Sequence, residues 1–474
     1  MHISIKKVIL LTLISYSSTH GVKINPFVWL DDHDVVITDV SNTSVIPVSA
    51  IKKPKSIEEL INIVITAKTP ISVAGGRFSQ GGQIAYRHGL VVDITDLKAI
   101  KHFDAHAKTI IVQTGILWRD IQNFINPYNL SVKVMQSYND FTVGGSLSVN
   151  VHGRDINYGP LVQTIQSIKV LLANGTIIEA SRTHNPDIFS AAIGGYGALG
   201  IITEATISLT DNIKMRQEIK QVPIEEYVNH FFNGIKSNPN AVLHNGNLYP
   251  NDFKTVGSIT WYKTEEQLTE NAQIRPCEQF YPLQMLGEQV LRRLGFLKKL
   301  RPSIELKSYQ QKTVNWRNYE MSRTVNTLEP LIRFPTTTVL QEYFIPVNNI
   351  IPFINQLRKI THEYGINILN ASIRYVPKNT DSLLSYAPQE SFAFVLYINI
   401  VNTDEKLNIA QCWTRKLIDA ALNCGGNYYL PYQLFGTYEQ IQKAYPRLDE
   451  FRTIKRKYDP KNKFSNSLVT KYIV

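Results

Sequence analysis

FTVGGSLSVNVHGRD, residues 141–155, is the stretch on which the reading of this chain turns. Gly144 and Gly145 follow a β-branched pair, small residues come next, and His152-Gly153 closes an alternating run. Glycine permits backbone angles and close approaches that a Cβ would block. A short Gly-Gly turn with free N–H groups can cradle a diphosphate, although most such turns only reverse the chain. Two more glycine stretches flank this one, VAGGRFSQGGQ at 73–83 and AAIGGYGALGIITEAT at 191–206. Between them, SIKVLLANGTIIEA at 167–180 reads as two strands around an Asn174-Gly175 hairpin turn.

Working outward, Ser56 with Glu59 predicts a capped helix whose apolar face holds Leu60, Ile61 and Val64. ISVAGG at 71–76 reads as a buried strand running into a glycine turn, while residues 25–41 read as irregular. GLVVDITDL and TIIVQTG alternate as strands, and ILWRDIQNFINPYNL reads as a helix stopped by Pro127. Past Asp211 the pattern changes. TTVLQEYFIPV at 337–347 and SFAFVLYINIV at 391–401 predict strands, and residues 348–365 and 406–426 predict helices. That order predicts an antiparallel sheet with helices on one face. Residues 265–330 are charged and mixed, and no element is assigned to them.

At 474 residues two domains are expected, and 43% hydrophobic with 19% charged residues describes a globular chain. The formal charge of +11 is not gathered into a long basic block, so nucleic acid is not an expected partner. A lipid-phosphate surface stays open as a partner. Cys277, Cys412 and Cys424 are too few and too scattered for a disulfide framework or a metal site, so no metal is expected. Lys6 and Lys7 before VILLTLI read as an export leader over residues 1–21, and no later segment reads as a membrane span.

The three ordered glycine motifs resemble those of vanillyl-alcohol-oxidase-type flavoproteins, which share an FAD-binding fold with p-cresol methylhydroxylase (the PCMH type). The decaprenylphosphoryl-ribose oxidase type is nearest in pattern, with alditol and aldonolactone oxidases further off. The resemblance covers residues 54–209 and the tail 428–472. It implies an α+β fold: a PCMH-type FAD-binding domain at 22–210, an antiparallel-sheet substrate (cap) domain at 211–428, and a return segment at 429–474. It also implies FAD as cofactor. Phe78 stands where such proteins often carry a histidine bonded to the flavin, so the FAD is expected to be non-covalent.

By the same resemblance Gly75, Gly76, Arg77, Phe78, Ser79 and Gly82 contact the cofactor mostly through backbone. Ser137, Thr142, Gly144, Gly145 and Val149 form a second loop, Ile202 offers backbone to the adenine, and Tyr429 touches the flavin. His152 is expected near the flavin ring, where imidazole can relay a proton near neutral pH. Glu342 and Arg374 are candidates for the substrate cavity, because a strand facing the flavin presents alternate side chains there. Tyr432 takes the place of a lysine usual in sugar oxidases of this type, and it can act as a base only with a lowered pKa. The implied activity is oxidation of a hydroxyl of a sugar, polyol or polyprenyl-linked sugar. An aldonolactone- or cytokinin-type oxidase or dehydrogenase, and a flavin-binding protein without catalysis, stand as rivals. The substrate is expected to be a small molecule or lipid-linked sugar, with the electron acceptor left open.

Overall fold

The computed structural model describes residues 35–250, 252–276, 313–325 and 336–474. The leader expected at 1–21 and Cys277 lie outside these residues. Strand β1 (Val35–Thr38) pairs antiparallel with β2 (Val45–Val48), so the stretch expected to be irregular carries a strand. Its cause is local. A β-branched run, VVIT, leads into Asp39, whose Oδ1 accepts from Ser41 N at 2.9 Å and from Ser41 Oγ at 2.6 Å, closing an Asx turn.

Strands β3 (Ala50–Lys52), β4 (Ile71–Ala74) and β5 (Leu90–Asp93) form a parallel sheet in the order β3-β5-β4. Parallel neighbours need a crossover; here it is α1 (Ile57–Thr66), which buries Leu60, Ile63 and Val64. Ser56 caps α1 by accepting from Glu59 N at 3.1 Å. Glycines 75 and 76 leave β4 at the sheet's carboxyl end, toward the second glycine stretch.

The second sheet contains β6 (Ile100–Asp104), β7 (Thr109–Gln113), β8 (Leu130–Val132), β9 (Ile165–Leu171), β10 (Ile177–Ser181) and β11 (Ile201–Asp211). Its order is β10-β9-β11-β7-β6, with β8 on the far end of β11. The hairpin joining β9 to β10 turns at Gly175, whose φ of +85° is left-handed. Helices α2 (Trp118–Ile125), α3 (Val143–Val149) and α4 (Pro186–Ala192) accompany it. Gly144 and Gly145 lie in the first turn of α3 rather than in a reversing turn. Thr142 caps this helix by accepting from Gly145 N at 3.1 Å, and Asn150 ends it at φ 51°. Seven residues are too few to display a helical period, which is why the run looked alternating.

The third sheet has eight antiparallel strands: β12 (Lys214–Pro223), β13 (Ala241–Leu248), β14 (Thr255–Lys263), β15 (Thr313–Trp316), β16 (Thr336–Pro346), β17 (Asn367–Val376), β18 (Ser391–Val401) and β19 (Asn427–Tyr428). Their order is β15-β12-β14-β13-β17-β18-β16-β19. Helices α5 (Ile350–Tyr364) and α6 (Asp404–Asn423) cover one face, with the Tyr343 and Phe353 rings 5.7 Å apart and Gln341 Nε2 donating to Thr414 Oγ1 at 2.7 Å. Side chains alternate across a strand, so Glu342 and Phe344 point the other way. Register then gathers a set on that other face: Glu342 lies opposite Val395, which lies opposite Ser372, and Phe344 lies opposite Ala393, which lies opposite Arg374. The mixture of helices with antiparallel sheets is the α+β architecture expected.

Two seams bring this face onto the FAD-motif half of the chain. Residues after His152 pair with the start of β13, through His244 N to Arg154 O at 2.8 Å and Ile156 N to Val242 O at 3.1 Å. The return segment supplies the other: Tyr429 N donates to Glu342 O at 3.0 Å, and Gln80 N donates to Pro431 O at 2.7 Å. Farther along, helices α7 (Tyr438–Ala444) and α8 (Leu448–Tyr458) lead to Ser465, whose carbonyl accepts from Ser72 Oγ at 2.6 Å. Near the first seam, Arg317 Nη2 meets Asp155 Oδ2 at 2.9 Å, with both side chains 3% exposed. Removing one member of such a buried pair strands the other charge. Asp155→Ala is therefore expected to lower stability by about 3–5 kcal/mol, read as a shift of the denaturant midpoint at constant slope.

Candidate active site

Three of the four residues singled out as catalytic candidates meet. His152 leaves the turn after α3, Glu342 sits mid-strand on β16, and Tyr432 belongs to the return segment. His152 Nε2 lies 2.5 Å from Glu342 Oε1, and Tyr432 Oη donates to Glu342 Oε2 at 3.2 Å. Both oxygens of one carboxylate are thus engaged by side chains from two other parts of the chain. His152 and Glu342 are 5% and 3% exposed, so the contact is shielded from water. Aromatic walls hold the imidazole: its ring is 5.4 Å from Phe344, 5.9 Å from Tyr386 and 6.3 Å from Tyr429. Tyr386 stacks on Phe344 at 4.3 Å and donates to Asn150 O at 2.6 Å, pinning the backbone just before His152.

Burial, reinforced by the charge of Glu342, pushes the Tyr432 hydroxyl well above its usual pKa, while Arg374 opposes the shift. The phenol therefore stays protonated near neutral pH. It is a hydrogen-bond donor to Glu342 and not placed to act as a base. Arg374, the fourth candidate, points from the same sheet face and donates from Nη2 to Ser137 Oγ at 2.9 Å.

The expected cofactor residues form a surface whose unmet groups suit a bound diphosphate. The N–H groups of Gly75, Gly76, Arg77, Phe78 and Ser79 make no hydrogen bond among the described residues, and Arg77 adopts a left-handed φ of 62°. Successive unpaired N–H groups in such a turn make an anion-binding concavity. Among the described residues a Cβ on Gly145 would meet only one side-chain atom, Thr142 Oγ1 at 3.0 Å, so no backbone stands against a side chain there. Gly75 and Gly144 are demanded by packing, against Thr142 and Thr114. His152 Nδ1 is buried with no partner among the described residues. These features fit FAD.

Other cofactor candidates are already occupied. The Val149 carbonyl accepts from Tyr429 Oη at 2.7 Å, and the Ile202 carbonyl accepts from Thr114 Oγ1. Gly82 sits at φ 74° with its carbonyl accepting from Ala85 N at 3.2 Å. Ser137 faces Arg374. Phe78 stacks on Phe141 with centroids 4.0 Å apart. A benzyl side chain offers no atom for a flavin bond, so flavin is expected to pass wholly into the supernatant when the holoprotein is precipitated with acid. Colour retained in the pellet would show a covalent link elsewhere.

Sequence reasoning missed Arg154, Trp261, Phe344 and Tyr386. Phe344 was recoverable, since it lies two residues from Glu342 on a strand and so shares its face. Among the described residues no group of three His, Cys, Asp or Glu side chains could hold a metal ion, and no helix is long and apolar enough to cross a membrane. Among the described residues Cys412 and Cys424 form no disulfide.

Comparison with known proteins bears on the family and the cofactor. Residues 48–181 match the family described as FAD binding domain, and residues 210–472 match the family described as D-arabinono-1,4-lactone oxidase. The chain is 27% identical to cytokinin dehydrogenase 1 of Arabidopsis thaliana over 41% of its own length and 35% of that protein. It is 25% identical to L-gulonolactone oxidase of Bos taurus over 39% of its length and 42% of that protein. With a putative D-arabinono-1,4-lactone oxidase of Neurospora crassa it shares 28% identity over 32% of its length and 28% of the relative. The chain thus spans well under half the length of these curated relatives. The likeness to PCMH-type FAD-linked oxidoreductases and FAD as cofactor stand on these matches. The relatives named here are lactone oxidases and a cytokinin dehydrogenase, and the decaprenylphosphoryl-ribose oxidase type suggested by the motifs is not among them.

Proposed function

The chain belongs to the D-arabinono-1,4-lactone oxidase family, and from that premise we propose that it is an FAD-dependent oxidoreductase acting on a hydroxyl of a sugar, sugar lactone or polyol. The observation that carries the reading is the short, buried contact of His152 Nε2 with Glu342 Oε1. Bound FAD would supply the acceptor for the hydride leaving the carbinol carbon. What the chain supplies is placement and a route for the proton. An ionised Glu342 takes a hydrogen bond from Nε2–H, which fixes the tautomer and leaves Nδ1 as an acceptor. Nδ1 is also the imidazole atom that is buried with no partner among the described residues. It takes the hydroxyl proton as the C–H bond breaks and the carbonyl forms, and Glu342 stabilises the resulting imidazolium. Gly75, Gly76, Arg77, Phe78 and Ser79 would hold the diphosphate.

Tyr432 tunes this pair without taking a proton. Its single 3.2 Å hydrogen bond to a carboxylate is worth about 1–2 kcal/mol. Tyr432→Phe should therefore slow flavin reduction about fivefold to thirtyfold, measured by anaerobic stopped-flow mixing with a sugar lactone that reduces the wild-type flavin. A loss beyond a thousandfold would restore the phenol to the chemistry itself.

Similarity to cytokinin dehydrogenase 1 favours a second reading, a dehydrogenase of cytokinin type. A panel of lactones, polyols, sugars and cytokinins separates the two by which class bleaches the flavin. The reading of residues 1–21 as an export leader belongs to the proposal as well, and amino-terminal sequencing of the mature protein tests it.

A further inference from the structure

Beside the His152–Glu342–Tyr432 cluster lies positive charge that the described residues do not balance. Among the described residues Arg374 makes one side-chain hydrogen bond, from Nη2 to Ser137 Oγ, and its buried Nε has no partner. No carboxylate among the described residues pairs with it. Arg154, two residues beyond His152, sends Nη2 to the Glu320 carbonyl at 2.6 Å, while its Nη1 stands 4.0 Å from the Glu320 carboxylate. The rest of its guanidinium lies over the Trp261 ring, 4.9 Å from the centroid. Glu320 is itself shared, meeting Arg275 and Arg323 at 3.4 Å each and accepting from Asn315 Nδ2 at 3.0 Å. Burial lowers the Arg154 pKa to about 9, and the charges of Arg323 and Arg374 push in the same direction.

Holding cations this way is costly unless an anion arrives, because like charges repel and burial strips them of water. The surroundings describe the rest of such a ligand. Ser372 shares a sheet face with Arg374 and Glu342, and Asn370 Nδ2 donates to Ser372 Oγ at 3.0 Å. Val395, between Ser372 and Glu342, is only partly buried. A polar strip of this kind suits hydroxyl groups. Arg374 also lies close enough to Tyr432 for its charge to act on the phenol, so an anion held there is within one small molecule's reach of the dyad.

We propose that the substrate of this site is an anionic sugar or polyol, its carboxylate or phosphate group held by Arg374 with Arg154 reinforcing the field. The proposal rests on the dyad being the place of hydroxyl oxidation, and it narrows the substrate class. Guanidinium groups bind carboxylate and phosphate through charge-assisted hydrogen bonds.

Calorimetric titration of the FAD-loaded protein with gluconate, glucose 1-phosphate and glucose tests it. At least one anion is expected to bind tenfold or more tightly than glucose, with an affinity that falls as salt rises. Arg374→Met should weaken that anion about tenfold to a hundredfold, and Arg374→Lys should recover part of the loss while both variants keep FAD. Anions that bind no more tightly than glucose, or equal anion affinity in wild type and Arg374→Met, would overturn the anion site. Flavin reduction by the same compounds separates the two ideas. Tight, Arg374-dependent binding with no reduction by any compound would uphold the anion site and remove the oxidation reading. Reduction by neutral compounds as fast as by anions, with no preference in binding, would do the reverse.

Discussion

Glu342→Gln is expected to slow flavin reduction about 10²–10⁴-fold while leaving FAD content unchanged. The amide keeps the size of the side chain and can still accept a hydrogen bond from Tyr432. What disappears is the negative charge 2.5 Å from His152 Nε2. Without it the imidazole has no ionised partner to fix its tautomer, and the imidazolium formed on taking a proton lies buried and uncompensated. The fold should survive, because among the described residues Glu342 Oε1 and Oε2 bond only His152 and Tyr432, and the β16 ladder is a backbone property. His152→Ala should cost a similar factor. If the two act as one unit, the double variant will be little worse than either single one, since effects within a catalytic unit are not additive. A Glu342→Gln enzyme within threefold of wild type would remove the dyad from the mechanism.

The second large effect concerns the cofactor. Gly145→Val is expected to abolish FAD retention, leaving purified protein colourless even after incubation with FAD. Apart from Thr142 Oγ1 at 3.0 Å, a Cβ at this position meets open space among the described residues. A β-branched side chain would project into that space, while the remaining turns of the fold keep their partners. The apoprotein should therefore lose only about 1–2 kcal/mol, from the β-branched residue in a helix and from pressure on the Thr142 cap. Normal flavin content in this variant would place the diphosphate elsewhere. The neighbouring Gly144 is a poorer test, because its Cβ would meet Thr114 Cβ, Oγ1 and the backbone carbonyl oxygen, each at 3.1 Å, and disturb folding and binding together.

Much of the site was legible because its signals are local. Strand alternation in TTVLQEYFIPV sends Glu342 opposite Gln341 and Tyr343, and the His152-Gly153 pair stands out beside the glycines. Phe78 could be read directly as a residue unable to bond a flavin. Reading Gly144-Gly145 as a turn failed for a physical reason: a threonine cap makes the same residues the first turn of a helix too short to show its period. The run at Val35–Thr38 was lost among a proline, a tryptophan and several acids, although its β-branched residues favour a strand. Arg154 was passed over inside the very motif that drew attention. Its meaning depends on Glu320, 166 residues away, and on Trp261 across the third sheet. Likewise His152 and Glu342 are 190 residues apart, and only the register of the β16, β18 and β17 strands decides what shares a face with them.

The most direct measurement is the visible spectrum of the FAD-loaded protein mixed without oxygen with a panel of sugar lactones, polyols, sugars and their anionic derivatives. The account predicts that at least one hydroxyl compound bleaches the flavin band in wild type, and that Glu342→Gln bleaches with the same compound far more slowly. A flavin band that every compound leaves intact, in protein that holds FAD stoichiometrically, would contradict the assignment of hydroxyl oxidation to this site.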